Sequence, residues 1–173
     1  MRAMFNSERT QRRKDSKRAR GESGSALIEF TLTLLPLLGF IFLTIDIVWI
    51  IFAWGSIQEG AREGVRFAVT GQILQGYSGQ DASIRAVVQQ YSSGFVNSQN
   101  ASSVVNIQYY LPTTLQPVSG VGSNAGGNVV KITVSGISVH SFAPILRTAA
   151  PIAITASSSD VMEGSPNGIP PAR

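Results

Sequence analysis

The chain has 173 residues, a formal net charge of +4 and no cysteine. This length suits one small domain with an additional segment, and the missing cysteines exclude disulfides, thiol catalysis and thiolate metal sites. The charge is uneven, because residues 1–24 hold eight Lys or Arg against three acids while the remainder is net −1. A basic head can bind nucleic acid, but this one has no recognition helix beside it. We therefore expect a membrane orientation signal and no nucleic-acid partner.

A long apolar run follows the basic head. Phe30 to Ile45 carries no charge, and the wider run from Ala26 to Ile57 has 32 residues. As a helix it would span about 48 Å, more than the roughly 30 Å hydrocarbon core, so it either tilts strongly or projects from the membrane. A cleavable secretory signal has an apolar core of only about 7–15 residues. We therefore expect a retained helix that holds the basic side inside and the C-terminal part outside the cytoplasm.

Two acids lie in this run. Glu29 is five residues after Gly24, at a depth where an acid costs roughly 2.5–3.5 kcal/mol in lipid, so we expect it to have a partner. Asp46 would lie about 30 Å from the start of the helix, near the outer boundary of the bilayer. There it is either a hydrated interfacial acid or a contact with a neighbouring helix. Between the two acids, Pro36 removes one helical hydrogen bond and can kink the helix.

Beyond the bilayer the helical pattern continues and carries small residues on one face. Gly60, Gly64 and Ala68 recur every four residues. Such a stripe lets two backbones pack closely, whereas a solvated polar face would not require it. Because each glycine costs about 1 kcal/mol in a helix, close packing is the better explanation.

The remaining sequence predicts a small mixed domain. After a glycine-rich turn, Asp81 is predicted to cap a helix over 82–94. Alternating apolar residues predict three strands, over 105–111, 130–139 and 152–156. A phase shift at Gly136 predicts a β-bulge. A Pro/Gly/Ser-rich loop, Pro112–Asn128, precedes the second strand, and a short apolar connector, 142–147, precedes the third.

The sequence offers little for catalysis. His140 is the single histidine, and with no cysteine a common metal site or a Ser–His catalytic set is not expected. The glycines between Gly120 and Gly127 have no helix after them, so a phosphate-binding loop is not indicated. We therefore predict no catalytic residue, no metal and no cofactor, and a protein that is not an enzyme.

The order of features at the N-terminus resembles a type IV prepilin. A basic leader is followed by Gly24-Ser25, then by Glu29-Phe30 and a long apolar helix. The resemblance implies that a prepilin peptidase cuts between Gly24 and Ser25, which makes Glu29 the fifth mature residue. The cut would free an α-amine at Ser25, and Glu29 of a neighbouring chain could pair with it and set the axial register of subunits.

Further motifs resemble the TadE-like family of minor pilins, or pseudopilins, of tight-adherence (Flp) pili. They are Pro36, Asp46 and the segment 61–68, with the closing-strand features of 141–146 and 152–158. The resemblance covers about residues 21–163, but the Arg that the family commonly has before its final acid is missing. It implies four partners: a prepilin peptidase, other pilins or pseudopilins, an inner-membrane assembly platform and the lipid bilayer.

Together these features predict an α+β protein. A long N-terminal transmembrane helix precedes a domain of one helix packed on an approximately three-stranded antiparallel sheet. The segments are a cytoplasmic leader (1–24, cleaved), the helix (25–70), a periplasmic domain (71–163) and a flexible tail (164–173). We expect a single-pass inner-membrane protein that supports pilus assembly, adhesion and biofilm formation. The alternative is a membrane-anchored periplasmic binding module with an uncleaved anchor.

Overall fold

The computed structural model describes residues 2–142, 150–165 and 168–173, with side chains from Gly24 onward. The first helix, α1, runs from Arg2 to Val69 and contains Pro36. The chain forms two compact units, one ending at Ile45 and the other beginning at Asp46. Each unit is described separately.

In the first unit, the apolar side chains of α1 face outward. Leu27, Leu32 and Leu35 are each about 70% exposed. The hydroxyl of Thr31 donates to the carbonyl of Leu27 at 2.8 Å, so the helix satisfies its polar side chains internally, as an apolar solvent requires. Of the residues described, one helical stretch, Gly24–Val69, is long and apolar enough to cross a membrane. This is consistent with the predicted single-pass anchor.

The second unit contains the last turns of α1, two further helices and one antiparallel sheet. The helices are α2 (Gln80–Tyr91) and α3 (Ala101–Val104), and the strands are β1 (Val105–Tyr110), β2 (Pro117–Val118), β3 (Val129–Val139) and β4 (Ile152–Val161). The strand order is β2-β1-β3-β4. The predicted α+β class is confirmed, although the sheet gains the two-residue strand β2 from the loop between β1 and β3.

The core of this unit forms around the end of α1. Ala53, Ile57 and Ala61 are fully buried at helical spacing, which places one stripe of α1 against the rest of the domain. The stripe shares a hydrophobic cluster with Ile84 of α2 and with Ile132 of β3. The end of the long helix therefore supplies the burial that a domain of this size would otherwise lack.

Strand β3 has the predicted bulge. Its pairing with β4 shifts register between Val134 and Ile137, and the intervening Gly136 has φ +81°. Glycine adopts this conformation without the steric cost of a Cβ. The buried positions of β3 change phase there, with Val134 buried on one side of the shift and Ile137 on the other. The bulge prediction is confirmed.

The predicted cap of α2 is wrong. The helix begins at Gln80 with Gly79 as its N-cap residue, and no side chain caps it. Asp81 lies one residue inside the helix and accepts hydrogen bonds from Tyr109 and Arg173. The Asp81 carboxylate therefore pairs with Arg173 in the tertiary structure and does not form the helix cap that the local sequence predicts. The helix also ends at Tyr91, before the expected boundary at 94.

The segments beyond β3 and β4 differ in how far they are described. Residues 143–149, most of the predicted apolar connector, lie outside the described residues. For the tail at 164–173 the sequence predicts flexibility. The structure places its last residues against α2 and the loop before β3. The Gln80 backbone amide donates to the Ala172 carbonyl at 2.7 Å, and the Asn124 side-chain amide donates to the Pro171 carbonyl at 2.9 Å.

Candidate functional site

The predicted processing and assembly residues lie on the exposed surface of the first unit. The Ser25 hydroxyl donates to a carboxylate oxygen of Glu29 at 3.3 Å, one helical turn away. Phe30 is 62% exposed and Ile28 68%. This surface therefore presents a carboxylate surrounded by apolar side chains, an arrangement that is costly in lipid unless a second chain covers it.

The glycines of α1 occupy two kinds of surroundings. A Cβ added to Gly24 or Gly39 would meet no atom within 4 Å, counting the residues that the structure describes. A Cβ on Gly64 would lie 2.5 Å from Val88 Cγ2 and 3.2 Å from Ile132 Cδ1. Gly64 is thus required for close packing within the chain, whereas packing within the chain gives no reason for glycine at Gly24.

Gly60 and Ala68 belong to the same close contact as Gly64. A Cβ on Gly60 would collide with the Ser92 hydroxyl and approach the Val88 carbonyl oxygen to 2.9 Å. Ala68 is fully buried. The small-residue stripe therefore faces α2 of the same chain, and this close approach closes the domain around α1.

Asp46 is buried although it follows the apolar run directly. It is 4% exposed, and its carboxylate accepts a hydrogen bond from the Ser141 hydroxyl at 2.5 Å and one from the Phe142 amide at 2.6 Å. Donors to a charged acceptor form the stronger class of hydrogen bond. From the sequence, two environments are open for Asp46, water or a neighbouring helix. Its contacts come instead from the residues that follow β3 in the same chain.

Next to Asp46 lies a group of four aromatic rings, the aromatic cluster, that the sequence analysis did not identify. Its members are Trp49, Phe52, Phe95 and Phe142. The ring centroid of Trp49 lies 5.7 Å from Phe52, 5.8 Å from Phe95 and 5.7 Å from Phe142, within the range of favourable aromatic pairs. Three separate segments of chain supply these rings, so periodicity in one segment could not indicate the cluster.

A cleft of about 680 Å³ adjoins the aromatic cluster. It is lined by Trp49, Phe95, Ser138, Val139, His140, Ser141 and Phe142. The single histidine thus lies on a cleft wall, but among the described residues no group of three or more His, Cys, Asp or Glu is placed to hold a metal ion. The described part of the cleft offers apolar and hydroxyl surface rather than a set of charged groups.

A polar cluster forms between α2, β1 and the tail. The Tyr109 hydroxyl donates to Asp81 at 2.9 Å, and the Arg173 guanidinium donates to the other oxygen of Asp81 at 2.9 Å while lying 4.7 Å from the Tyr109 ring centroid. Burial, then the negative charge of Asp81, raises the pKa of the Tyr109 phenol above its ordinary value. These contacts join residues far apart in sequence, and they hold the tail and β1 against α2.

A second buried pair completes this end of the domain. Gln80 is fully buried; its side-chain amide donates to the Ala68 carbonyl at 2.8 Å, and its oxygen accepts from Asn124 at 2.6 Å. Gln80 therefore adds a second hydrogen bond to the Ala68 carbonyl at the end of α1, which also accepts from the Gly71 backbone amide at 3.0 Å. No local pattern marks Gln80 or Asn124 for this role.

The comparisons with known proteins identify the first part of this architecture. Residues 24–66 match the family model described as TadE-like protein. The resemblance inferred from the sequence is confirmed over this TadE-like segment, and the TadE-like family is a structural, non-enzymatic family associated with tight-adherence pili. No curated protein sequence and no solved structure gives a significant match to the chain.

The TadE-like segment contains every residue predicted for processing, assembly or helix packing, except Ala68. It begins at Gly24 and ends at Arg66, so it includes Ser25, Glu29 and Asp46. It extends through the exposed part of α1 and through most of the stripe that packs in the domain core. The predicted type IV leader, residues 1–24, overlaps it only at Gly24.

Proposed function

We propose that this chain is a minor pilin, or pseudopilin, that contributes to assembly of a bacterial tight-adherence pilus and thereby to adhesion and biofilm formation. The observation that carries the proposal is the TadE-like match over residues 24–66. It coincides with the exposed apolar surface around Glu29 and begins at the glycine expected to precede the cut.

The same reasoning gives an orientation. The basic residues of 1–24 stay on the cytoplasmic side, α1 crosses the inner membrane once, and the unit beginning at Asp46 lies in the periplasm. Prepilin peptidase removes the leader after Gly24. Because a Cβ on Gly24 would meet no described neighbour, a requirement for glycine here fits recognition by a peptidase better than packing.

Glu29 then acts in assembly. Its carboxylate is exposed beside Ser25, and cleavage turns the Ser25 nitrogen into a cationic amine. In a stack of helices, the amine of one subunit pairs with Glu29 of the next and offsets the cost of an acid in lipid. The partners implied are other pilins or pseudopilins and an inner-membrane assembly platform.

The alternative is a single-pass anchored binding module that keeps its leader. The feature favouring it is the 680 Å³ cleft beside Trp49, which is large enough for a small ligand. The two functions differ in the N-terminus of the processed chain. A pilin starts at Ser25, whereas an anchored module retains the basic head.

N-terminal sequencing and intact mass, measured with and without a co-expressed prepilin peptidase, test the proposal. We expect the peptidase to produce a chain that begins at Ser25, and Gly24→Leu to prevent this. Gly39→Leu is the matched control, because a Cβ added to that glycine would also meet no described atom within 4 Å. A chain that keeps its basic head in the presence of an active peptidase would favour the anchored module.

A further inference from the structure

Three of the four rings in the aromatic cluster are exposed although the rings contact one another, and the fourth, Phe95, is half-buried against the core. Trp49 is 36% exposed, Phe52 50% and Phe142 58%. Water-exposed apolar groups of this size, brought together from three segments, typically mark a surface that meets another apolar phase. All four rings belong to the unit that begins at Asp46.

The position of the cluster in the sequence indicates which phase that is. Trp49 comes three residues after Asp46, which itself ends the uncharged run from Phe30. Counted from Ala26, where the wider apolar run begins, a helix rising about 1.5 Å per residue reaches the far bilayer boundary near Asp46. Trp49 and Phe52 then lie within the headgroup region, where aromatic side chains are enriched.

Two hydrogen bonds bring the rest of the domain to this level. Asp46 accepts from Ser141 and from the Phe142 amide, so the residues after β3 are held beside the first turns of α1 in this unit. Phe142 and Phe95 therefore lie at the height of Trp49. The cleft lining next to them contains serine and histidine but no Lys, Arg, Asp or Glu among the described residues.

We propose that the aromatic cluster is a lipid-contact surface that seats the domain on the periplasmic leaflet, with Phe95 and Phe142 inserted among the lipid headgroups. The partner is the phospholipid interface itself, because lipid is the neighbour that surrounds a membrane-crossing helix at this depth. The proposal rests on the single-pass orientation given above. In consequence the domain stays against the bilayer until the subunit leaves it.

Fluorescence quenching by brominated phospholipids tests this with the full chain in phosphatidylethanolamine–phosphatidylglycerol vesicles. The two native tryptophans are replaced by phenylalanine, and a single reporter is introduced by Phe95→Trp or by Phe142→Trp. Val121→Trp is the matched control, since Val121 is fully exposed in the loop before β3, at the other end of that strand. We expect bromines near the headgroups to quench the two cluster reporters at least about twofold more than the control.

A measurement that leaves the aromatic rings intact guards against misfolded variants. The chain has no cysteine, so Ser138→Cys, on the cleft wall, and Ser119→Cys, on the loop beside β2, each give one site for an environment-sensitive dye. Both serines are exposed. When vesicles are added, we expect the emission of the dye at position 138 to shift to the blue. The emission of the dye at the reference position 119, which faces the buffer, should not shift.

Each alternative has a distinct result. Quenching of Trp49 in a Trp54→Phe chain, with no excess quenching at the Phe95 and Phe142 reporters, would overturn the lipid-contact surface and leave the membrane anchor standing. No quenching at Trp49 would overturn both the anchor and the surface. A blue shift that depends on protein-to-lipid ratio, without quenching, would show instead that a second copy covers the cluster. Cleavage at Gly24 is measured independently of all three.

Discussion

Two parts of one helix use apolar residues in different ways. From Gly24 to Ile45 the side chains of α1 are exposed on nearly every side, whereas from Asp46 to Val69 buried residues recur at helical spacing. Among the described residues, the first part buries no hydrophobic face, whereas the second contributes one stripe to a domain core. The apolar side chains of the first part are therefore suited to an external apolar environment, whereas those of the second part stabilise the fold.

Several glycines and two acids on this helix also differ in their surroundings. Counting described atoms, Gly24, Gly39 and Gly55 have open space around them, while Gly60 and Gly64 touch α2. Glu29 is exposed, whereas Asp46 is held by two hydrogen bonds. Residues of one type on one helix can therefore have opposite surroundings: the Glu29 carboxylate is exposed, whereas the Asp46 carboxylate is held within the domain.

The largest expected effect comes from Glu29→Gln. Removing one partner of a buried ion pair costs about 3–5 kcal/mol, so we expect pili to be lost while membrane insertion and the thermal stability of the domain are unchanged. Pili are counted by electron microscopy, and domain unfolding is followed by circular dichroism in detergent. Glu59→Gln, at an exposed position of the second part, is the control. Normal piliation of the Glu29 variant would refute the assembly role.

Asp46→Ala should have the opposite phenotype. It removes the charged acceptor from the Phe142 amide and the Ser141 hydroxyl, and hydrogen bonds to charged groups contribute about 1.5–3 kcal/mol. We expect the full-length variant in detergent to unfold at a temperature lower by several degrees, with Asp46→Asn in between because it retains an acceptor oxygen. An unchanged unfolding temperature for both variants would show that these bonds do not hold the domain.

Gly64→Ala tests the packing difference between glycines. Overpacking costs about 1–3 kcal/mol, offset by the roughly 1 kcal/mol that alanine gains over glycine in a helix, so we expect a modest net loss of stability. Gly55→Ala is the matched control, since no described atom lies within 4 Å of its added Cβ, and it should be neutral or stabilising. Equal effects at both positions, measured by denaturant unfolding, would contradict close packing at Gly64.

The smallest effect is expected from Tyr109→Phe. At neutral pH the lost hydrogen bond costs about 1 kcal/mol. Burial and Asp81 raise the pKa of Tyr109, so the folded chain favours the neutral phenol; the resulting stabilisation is complete below about pH 10 and declines as pH rises above it.

The variant should therefore lose less stability than the wild type between pH 9 and 11, by about 1 kcal/mol. The free energy of unfolding at each pH measures this difference. Parallel losses in the two chains would show that the folded state does not disfavour ionisation of Tyr109.

Much of the fold follows from local sequence. Periodicity in the sequence predicts features that depend on residues close together in the chain. These features are the apolar run, the alternation in β1 and β3, and the bulge at Gly136. Strand β2 was not predicted, because two residues cannot show an alternation and their pairing with β1 depends on the turn between them. The sequence predicts Asp81 as a helix cap because the capping rule considers only neighbouring residues. In the structure Asp81 pairs with Arg173, which lies far along the chain.

The sequence by itself determined the long helix, the α+β class and the TadE-like segment, because these depend on composition, on local periodicity and on motifs within one stretch of chain. The roles of Gly24, Ser25 and Glu29 stay predictions. Only the tertiary structure decided what Asp46 binds and where the aromatic cluster forms. Asp46 and Ser141 are 95 residues apart, and the rings come from three segments. Such contacts depend on how the sheet returns the chain to α1, and that information lies in the packing of the whole domain rather than in any local pattern.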